Sequence, residues 1–266
     1  MKQARRILSL STPLLIWACS ANPTLTTSSD APDWAPIFDG ETLNGWTPKI
    51  AGQPLGSDAE GLFRVENGAI VVAYDSDADF AGAFGHLYFD ADLTDYRLRL
   101  DYRFFGEQAL GGPGWAFMNS GVMVHAQAPE TMRQDQAFPV SVEAQFLGTR
   151  SSDSSRTTAN ICTPGTHISR QGATVTQHCI NSETRAAIAG EWVTFEIEVR
   201  GGDMMQLQIA GEPAFRLETP VYDTDDGDVA GLGLAGPVTH GYIALQAESH
   251  PVAFRNIQLM RLDPPS

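Results

Sequence analysis

The sequence predicts an all-β protein whose strands form a two-sheet β-sandwich, and two observations carry that prediction. Short runs of alternating apolar and polar residues recur over residues 34–263, separated by turns that draw on the chain's 25 glycines and 16 prolines. No apolar period of 3.6 residues lasts long enough for a long helix, and no strand–helix–strand rhythm is present. Ten to twelve short strands with such turns are typical of a sandwich.

The expected strands follow from these runs in chain order. Residues 62–65 and 69–74 flank Glu66-Asn67-Gly68, which predicts a tight hairpin. Residues 96–105 place tyrosine, leucine and phenylalanine on one face and mainly arginine and aspartate on the other. The other expected strands cover residues 121–127, 140–147, 192–200, 204–209, 214–217, 241–247 and 252–262.

Composition limits the classes of partner. The 266 residues include 17 Lys and Arg against 32 Asp and Glu, a formal net charge of −15. A chain this acidic repels phosphate backbones, which argues against nucleic acid as a partner. No apolar run reaches the roughly 20 residues of a membrane span. We therefore expect a globular domain that contacts a membrane only through an N-terminal lipid.

The N-terminus has the order of an export signal. Three basic residues precede a mostly apolar stretch over residues 7–17, and residues 15–19 (LIWAC) resemble a bacterial lipobox. The prediction is a signal peptide over 1–18, lipid on Cys19 and a flexible tether over 19–33. Removal of the signal would leave a net charge of −18. The expected location is the bacterial periplasm or cell envelope, with the lipid in the outer membrane; ordinary cleaved secretion is the alternative.

Residues 148–190 interrupt the strand rhythm and predict an insertion over one end of the sandwich. The segment contains Cys162 and Cys179, the two cysteines outside the signal region. A bridge between them would close a loop of about 17 residues, for which chain entropy predicts roughly 3 kcal/mol. A zinc site with His167 and His178 is the alternative. Because neighbours in a strand point to opposite faces, His178 and Cys179 would not easily bind one ion, which favours the disulfide.

Three segments carry a family resemblance. They are IFDGETLNGW at 37–46, NSGV at 119–122, and GYIALQ at 241–246, which is followed by HPV at 250–252 and FRNI at 254–257. Together they resemble the 3-keto-disaccharide hydrolase family, in the expected order over residues 36–262. The resemblance implies a concanavalin-like jelly roll with sugar chemistry on its concave face. The turn before His250 is longer than is common in that family, and only some relatives have the insertion. The resemblance therefore does not carry the individual substrates of those relatives over to this chain.

The implied reaction is the cleavage of 3-keto-glycosides or 3-keto-disaccharides by elimination and hydration. A ketone at C3 acidifies the C2 proton, a base removes that proton, the enediolate expels the glycosidic oxygen from C1, and water then adds. This route needs a base, a group that stabilises negative charge, and a stacking surface. The chain lacks the E-x-D-x-x-E strand of laminarinase-type sandwiches, with only Glu143-Ala144-Gln145 in a comparable place. That difference argues against an ordinary retaining hydrolase.

Strand parity selects His125, the pair Glu143 and Gln145, and the pair Gln246 and Glu248, because polar side chains of three strands fall on the side opposite their apolar residues, while Trp115 lies in a glycine-rich loop and His250 in a turn. The predicted catalytic residues are His125, Glu143 and His250, and the predicted substrate-binding residues are Trp115, Asn119, Gln145, Gln246 and Glu248. Histidine suits the base because its usual pKa is near 6.5. Glutamines, or a divalent metal held by His125, Glu143 and Glu248, would stabilise the enediolate.

Alternative functions remain open from the sequence. A non-catalytic carbohydrate-binding surface lipoprotein would use the same groove without a base, and a structural or adhesive surface module would need only the charge and the tether. The polar strand faces could also be simply solvated. The acidic run at 223–228 could hold calcium, but Gly227 does not fit the spacing of an EF-hand loop, which favours a solvated charge cluster.

Overall fold

A computed structural model describes residues 33–74, 77, 79–152 and 154–263, and these residues form two packed β-sheets with very little helix. The strands are β1 Ala35–Pro36, β2 Trp46–Ile50, β3 Phe63–Glu66, β4 Ala69–Val72, β5 Gly85–Leu93, β6 Asp95–Phe104, β7 Asn119–Ala126, β8 Val142–Thr149, β9 Asn160–Cys162, β10 Thr166–Arg170, β11 Ala173–Val175, β12 Cys179–Ile180, β13 Ala187–Ile188, β14 Val193–Arg200, β15 Met204–Ile209, β16 Glu212–Tyr222, β17 Gly241–Ala247 and β18 Val252–Arg261. The helical segments are α1 Gly227–Leu232 and two 3-10 turns, Gly114–Ala116 and Pro129–Thr131. The predicted β-sandwich is confirmed.

Each sheet is almost wholly antiparallel. The larger sheet has the order β11-β10-β16-β15-β14-β6-β18-β4-β3, with β1 paired to β18. The smaller sheet has the order β12-β9-β8-β7-β17-β5-β2, with β13 running parallel to β8. None of the described helices is long and apolar enough to span a membrane.

The core lies between the two sheets, and the predicted alternation of the sixth strand builds much of it. Along β6 every second residue, from Tyr96 to Phe104, is buried, while the residues between them are half-buried. Tyr102 of this strand stacks on Phe146 of β8, with ring centroids 4.1 Å apart and planes 2° from parallel. This contact joins the inner faces of the two sheets and thereby fixes which face of the smaller sheet points outward.

The predicted hairpin is confirmed between β3 and β4. Its two turn residues, Asn67 and Gly68, have φ angles of 51° and 76°. A two-residue turn with positive φ at both positions matches the twist of the strands it joins.

The predicted disulfide between Cys162 and Cys179 is confirmed. Residues 148–190, predicted as an insertion over one end of the sandwich, also contribute strands to both sheets. This segment adds β9 and β12 to the smaller sheet and β10 and β11 to the larger one. Strands of two to five residues are too short to show an alternating pattern, so sequence periodicity missed them.

Strand β5 is longer, at nine residues, and was also missed. Its first four residues are all buried and include a single polar side chain, His86, so the regular apolar–polar alternation of a half-exposed strand is absent there.

The predicted signal peptide, the lipid on Cys19 and the tether up to residue 32 lie outside the described residues.

Candidate functional site

A cavity of about 410 Å³ lies on the outer face of the smaller sheet. Five of the predicted site residues line it: Trp115, Asn119, Glu143, Gln145 and Glu248. The sequence had placed these residues on separate strands and loops, and the fold brings them to one site. The disulfide, Phe138, Pro164 and His178 complete the wall, so the insertion forms part of the cavity.

Glu143 reaches the cavity because of its position in β8 and because of a glycine on the next strand. Its neighbours Val142 and Ala144 point into the core, so its own side chain points outward. A Cβ atom at Gly121 of β7 would lie 2.9 Å from Oε1 of Glu143 and 2.9 Å from the carbonyl oxygen of Ala144. The absence of a side chain at residue 121 therefore leaves room for the Glu143 carboxyl group over β7.

Adding that side chain should be costly. We expect Gly121→Ala to lower the free energy of unfolding by about 1–3 kcal/mol, the usual cost of forcing atoms into a packed site. Urea denaturation checks this, with Gly231→Ala as the control because its added methyl group would meet no atom within 4 Å outside its own helix. Equal stability of the two variants would show that Glu143 is not held over Gly121.

Glu143 and Glu248 form a pair of buried carboxyl groups. They are 5% and 3% exposed, and Glu143 Oε1 and Glu248 Oε2 have no hydrogen-bond partner. Burial raises the pKa of Glu143 to about 8, and the side chain of Gln246 opposes this shift. Burial also raises the pKa of Glu248, and the charge of Glu143 raises it further. Because two adjacent buried carboxylates repel each other, the pair holds at least one proton near neutral pH.

The raised pKa values predict how stability depends on pH. Between the ordinary glutamate pKa of about 4.3 and the folded value of about 8, the folded state binds more protons than the unfolded state, so this contribution to stability falls as pH rises. We expect Glu143→Gln to be more stable than the parent at pH 8, and the difference to disappear at pH 4. Urea denaturation at both pH values tests this, with the exposed Glu212→Gln as control. A difference independent of pH would contradict the buried pair.

An aromatic platform forms the rim of the cavity. Trp115 is 57% exposed, and its ring is nearly parallel to that of Phe84, with centroids 5.9 Å apart. Phe84 in turn packs on Phe138 at 4.9 Å. Asn119 Nδ2 donates to the carbonyl oxygen of Trp115 at 3.4 Å, while its own Oδ1 has no partner. The cavity therefore offers a flat apolar surface beside unsatisfied polar groups, an arrangement suited to a sugar ring.

His125 does not lie on this face, so its predicted position is wrong. The pairing of β7 with β17 shifts register beside His125, whose φ angle is 48°. A bulge of this kind adds one residue and turns the following side chains to the other face. The His125 ring contacts the ring of Tyr96 in the core, and its Nε2 lies 2.9 Å from the carbonyl oxygen of Gly201. His125 is therefore not in a position to act as a base in the cavity.

His250 is also separate from the carboxyl pair. It is fully buried between the rings of Phe104 and Phe117, at centroid distances of 6.0 and 5.3 Å, and does not line the cavity. Burial, followed by the charge of Arg150, lowers the pKa of His250 to about 4. The predicted catalytic role of His250 therefore has no support from its position.

Two buried polar residues of the same face were not predicted as site residues. His86 of β5 is opposite Gln246 of β17, and Lys49 of β2 is opposite His86. Because β5 begins with four buried residues, no alternating pattern in the sequence reveals this strand or places His86 on this face. The signal that could have indicated the position of His86 is a histidine directly before the apolar run Leu87-Tyr88-Phe89.

The candidate metal sites are not assembled. The described residues contain no group of three or more His, Cys, Asp and Glu side chains that could hold a metal ion. The set His125, Glu143 and Glu248 is divided between two faces, and the disulfide removes the zinc alternative. In the acidic run, Asp226 caps helix α1 by accepting from two backbone N–H groups, and Asp228 pairs with Arg133.

A second groove, of about 420 Å³, adjoins the cavity. It shares Phe138, Pro164 and His178 with the cavity, and its far wall includes Asp223 and His167, which lie 3.5 Å apart. A ligand seated at the carboxyl pair could therefore extend past His178 into this groove.

Comparisons with known proteins agree with this architecture. A model of the 3-keto-alpha-glucoside-1,2-lyase-like domain matches residues 33–260. A Parabacteroides distasonis protein with a provisional assignment as a glycosyl hydrolase is 20% identical, with 86% of this chain and 94% of that chain covered and a TM-score of 0.50. A Bacillus subtilis protein of unknown function with a galectin-like fold is 10% identical, with 84% and 92% covered and a TM-score of 0.51. Among curated proteins none matches the chain.

Proposed function

Since the chain belongs to the 3-keto-alpha-glucoside-1,2-lyase-like family, we propose that it cleaves 3-keto-glycosides at the carboxyl pair of the cavity. The family supports a carbohydrate-acting enzyme. The observation that carries the finer proposal is the pair Glu143 and Glu248, which is buried, has one oxygen of each carboxyl group without a hydrogen-bond partner, and lies beside the Trp115 platform. A protein that only binds sugar gains nothing from two destabilising buried acids, whereas an enzyme uses them.

The first step is removal of a proton by the ionised member of the pair. The substrate's ketone at C3 acidifies the proton on C2, and the carboxylate accepts that proton while the electron pair moves onto the ketone oxygen as an enediolate. A carboxylate whose pKa is raised by burial is a stronger base than an ordinary glutamate, so the buried position of the pair favours this step.

The second step is departure of the glycosidic oxygen from C1. The enediolate re-forms the ketone and a C1–C2 double bond, and the C1–O bond breaks. The protonated member of the pair gives its proton to the leaving oxygen, which departs as an alcohol. Water then adds to C1 and a proton to C2, so the net reaction is hydrolysis and each carboxyl group recovers its starting state.

Amide groups of the cavity would stabilise the negative oxygen. Gln145 Oε1 accepts from Asn160 Nδ2 at 3.0 Å, so the amide NH₂ group of Gln145 remains to donate elsewhere. Gln145 lines the cavity, and a donor fixed in advance near a developing charge is the usual form of oxyanion stabilisation. The adjoining groove gives room for the leaving group.

Trp115 is expected to bind the sugar ring. Trp115→Ala should raise KM for a 3-keto-glucoside about tenfold and change kcat much less, because stacking on the indole is lost while the carboxyl pair stays in place. Trp115→Phe should restore most of the affinity. Steady-state kinetics of the three proteins measure this. A fall in kcat alone would indicate that Trp115 instead supports the carboxyl pair.

The function itself is tested by comparing matched substrates. The purified protein is incubated with 4-nitrophenyl 3-keto-glucosides of both anomers and with the unoxidised glucosides. We expect release of 4-nitrophenol only from a ketone-bearing substrate, because only the ketone acidifies C2. Equal release from an unoxidised glucoside would overturn the elimination route. Binding of the sugars without release from any of them would favour the non-catalytic carbohydrate-binding function.

A further inference from the structure

We propose that His86 is a positioning residue for Glu143 and acts through Gln246, in one hydrogen-bonded line of three side chains at the base of the cavity. The inference rests on the proposed function for its kinetic consequence, but the line itself is a structural claim. Four observations lead to it: strand register, the gap at Gly121, a set of unsatisfied atoms and the charges around them.

Strand register places His86 beside Gln246. The two residues are direct partners in the antiparallel pairing of β5 and β17. Both point outward, because their neighbours Leu87 and Leu245 belong to the core. Directly opposed residues have Cβ atoms roughly 4.5–5.5 Å apart, within reach of a hydrogen bond between two long polar side chains. His86 is 1% exposed and Gln246 is fully buried, so water does not compete for them.

The absence of a side chain at Gly121 leaves room for Gln246 and Glu143 to approach each other. Leu245 pairs with Val122, so Gln246 stands next to Gly121 on the outer face. The Glu143 carboxyl group lies over that glycine, as the 2.9 Å approach of its Oε1 to an added Cβ shows. A side chain at residue 121 would separate Gln246 from Glu143, and its absence lets the two meet across β7.

Four buried atoms of these residues lack hydrogen-bond partners: His86 Nε2, Gln246 Oε1, Gln246 Nε2 and Glu143 Oε1. A buried polar group without a partner is destabilising, so four such atoms on neighbouring residues indicate a shared arrangement. One alternating arrangement satisfies them all: His86 Nε2–H donates to Gln246 Oε1, and Gln246 Nε2–H donates to Glu143 Oε1. Gln246 is in register with both ends of this line: it is opposite His86 of β5 and beside Gly121, over which the Glu143 carboxyl group lies.

The surrounding charges are consistent with this direction of donation. Burial and the nearby ammonium of Lys49 lower the pKa of His86 to about 3, so the ring is neutral and carries a single N–H. Lys49 Nζ is held by the carbonyl oxygen of Gln134 at 3.1 Å, and the ring of Phe138 covers His86 at 6.0 Å. Glu248 is the ionisable group that interacts with Glu143.

The consequence is a division of roles within the carboxyl pair. A donor from Gln246 favours the ionised form of Glu143, which leaves the shared proton on Glu248. Glu143 is then the base that removes the C2 proton, and Glu248 is the acid that protonates the leaving oxygen. His86 touches neither the substrate nor the carboxylate and only fixes the orientation of the Gln246 amide.

An NMR measurement that does not depend on catalysis tests the hydrogen-bonded line first. In protein labelled with ¹⁵N-histidine, ring nitrogen shifts report the tautomer of each of the six histidines. We expect His86 to carry its proton on Nε2, and its Nε2 signal to move in the Gln246→Met variant. A proton on Nδ1, or a signal unmoved by Gln246→Met, would overturn the line whether or not the protein cleaves 3-keto-glycosides.

Kinetics then test the positioning role. We expect His86→Phe to lower kcat about tenfold at unchanged KM and to move the acidic limb of the pH–rate profile to higher pH, because Glu143 loses its donor. The double variant with Gln246→Met should fall no further than Gln246→Met alone, and His86→Asn, which keeps a donor, should restore activity. His240→Gln, an exposed histidine that contacts Asp92, is the control and should change neither. Additive losses, or an unmoved pH limb, would contradict the proposal.

Discussion

Glu143→Gln is expected to lose cleavage of a 3-keto-glucoside by about 10²–10⁴-fold, the usual contribution of a general base. Glutamine keeps the size and the hydrogen-bonding oxygen of glutamate but cannot accept a proton. Release of 4-nitrophenol measures the loss, and the exposed Glu212→Gln should retain full activity. Because the same variant should be more stable than the parent at pH 8, unfolding cannot account for the loss. Activity within tenfold of the parent would remove Glu143 from the chemistry.

Substitution of Glu248 distinguishes the roles of the two carboxyl groups. Glu248→Gln removes the proton donor, so its effect should depend on the leaving group. We expect activity to fall only slightly when the leaving group is 4-nitrophenol, because it can depart without being protonated. When the leaving group is a sugar, which needs a proton to depart, we expect activity to fall strongly. The same loss for both leaving groups would assign Glu248 a role other than the acid.

Removal of the disulfide is expected to have the largest effect on stability. The double variant Cys162→Ser, Cys179→Ser should lower the free energy of unfolding by about 3 kcal/mol, because the open chain regains the freedom of a 17-residue loop. Since both cysteines line the cavity, KM should rise as well. Urea denaturation measures the first effect and steady-state kinetics the second.

Reduction of the parent protein provides the control for this prediction. A thiol reductant should destabilise the parent by a similar amount and leave the double serine variant unchanged. A loss below about 0.5 kcal/mol in both experiments would show that the β9–β12 pairing holds the insertion without the covalent bond.

The sequence patterns predicted those elements in which one face is buried and the other is not. Strand β6 alternates through its whole length, so both its existence and its buried face could be predicted. The same parity argument placed Glu143, Gln145 and Glu248 correctly on one cavity, because β8 is regular at the first two residues and β17 is regularly paired from Ala244 to its end, one residue before Glu248.

The failures have local physical causes. The bulge beside His125 adds one residue to β7, and parity reverses there without any mark in the amino-acid types. Strand β5 begins with residues buried on both faces, so His86 had no polar partners in the sequence to reveal its position. The role of Gly121 depends on the close approach of Glu143 from the neighbouring strand. No local sequence pattern contains that contact, so this role could not be predicted.

In the proposed reaction, cleavage begins when the carboxyl pair removes the proton on C2. An isotope measurement tests this step. A 3-keto-glucoside carrying deuterium at C2 is cleaved in ordinary water, and the sugar product is analysed by mass spectrometry within a time in which unreacted substrate keeps its label. When the labelled and unlabelled substrates compete, we expect the labelled one to react more slowly, and we expect its product to lose deuterium to the extent that the buried base exchanges with water before it returns a proton to C2. Equal reaction of the two substrates together with full retention of the deuterium at C2 would contradict this step, because the glycosidic bond would then have broken without removal of the C2 proton.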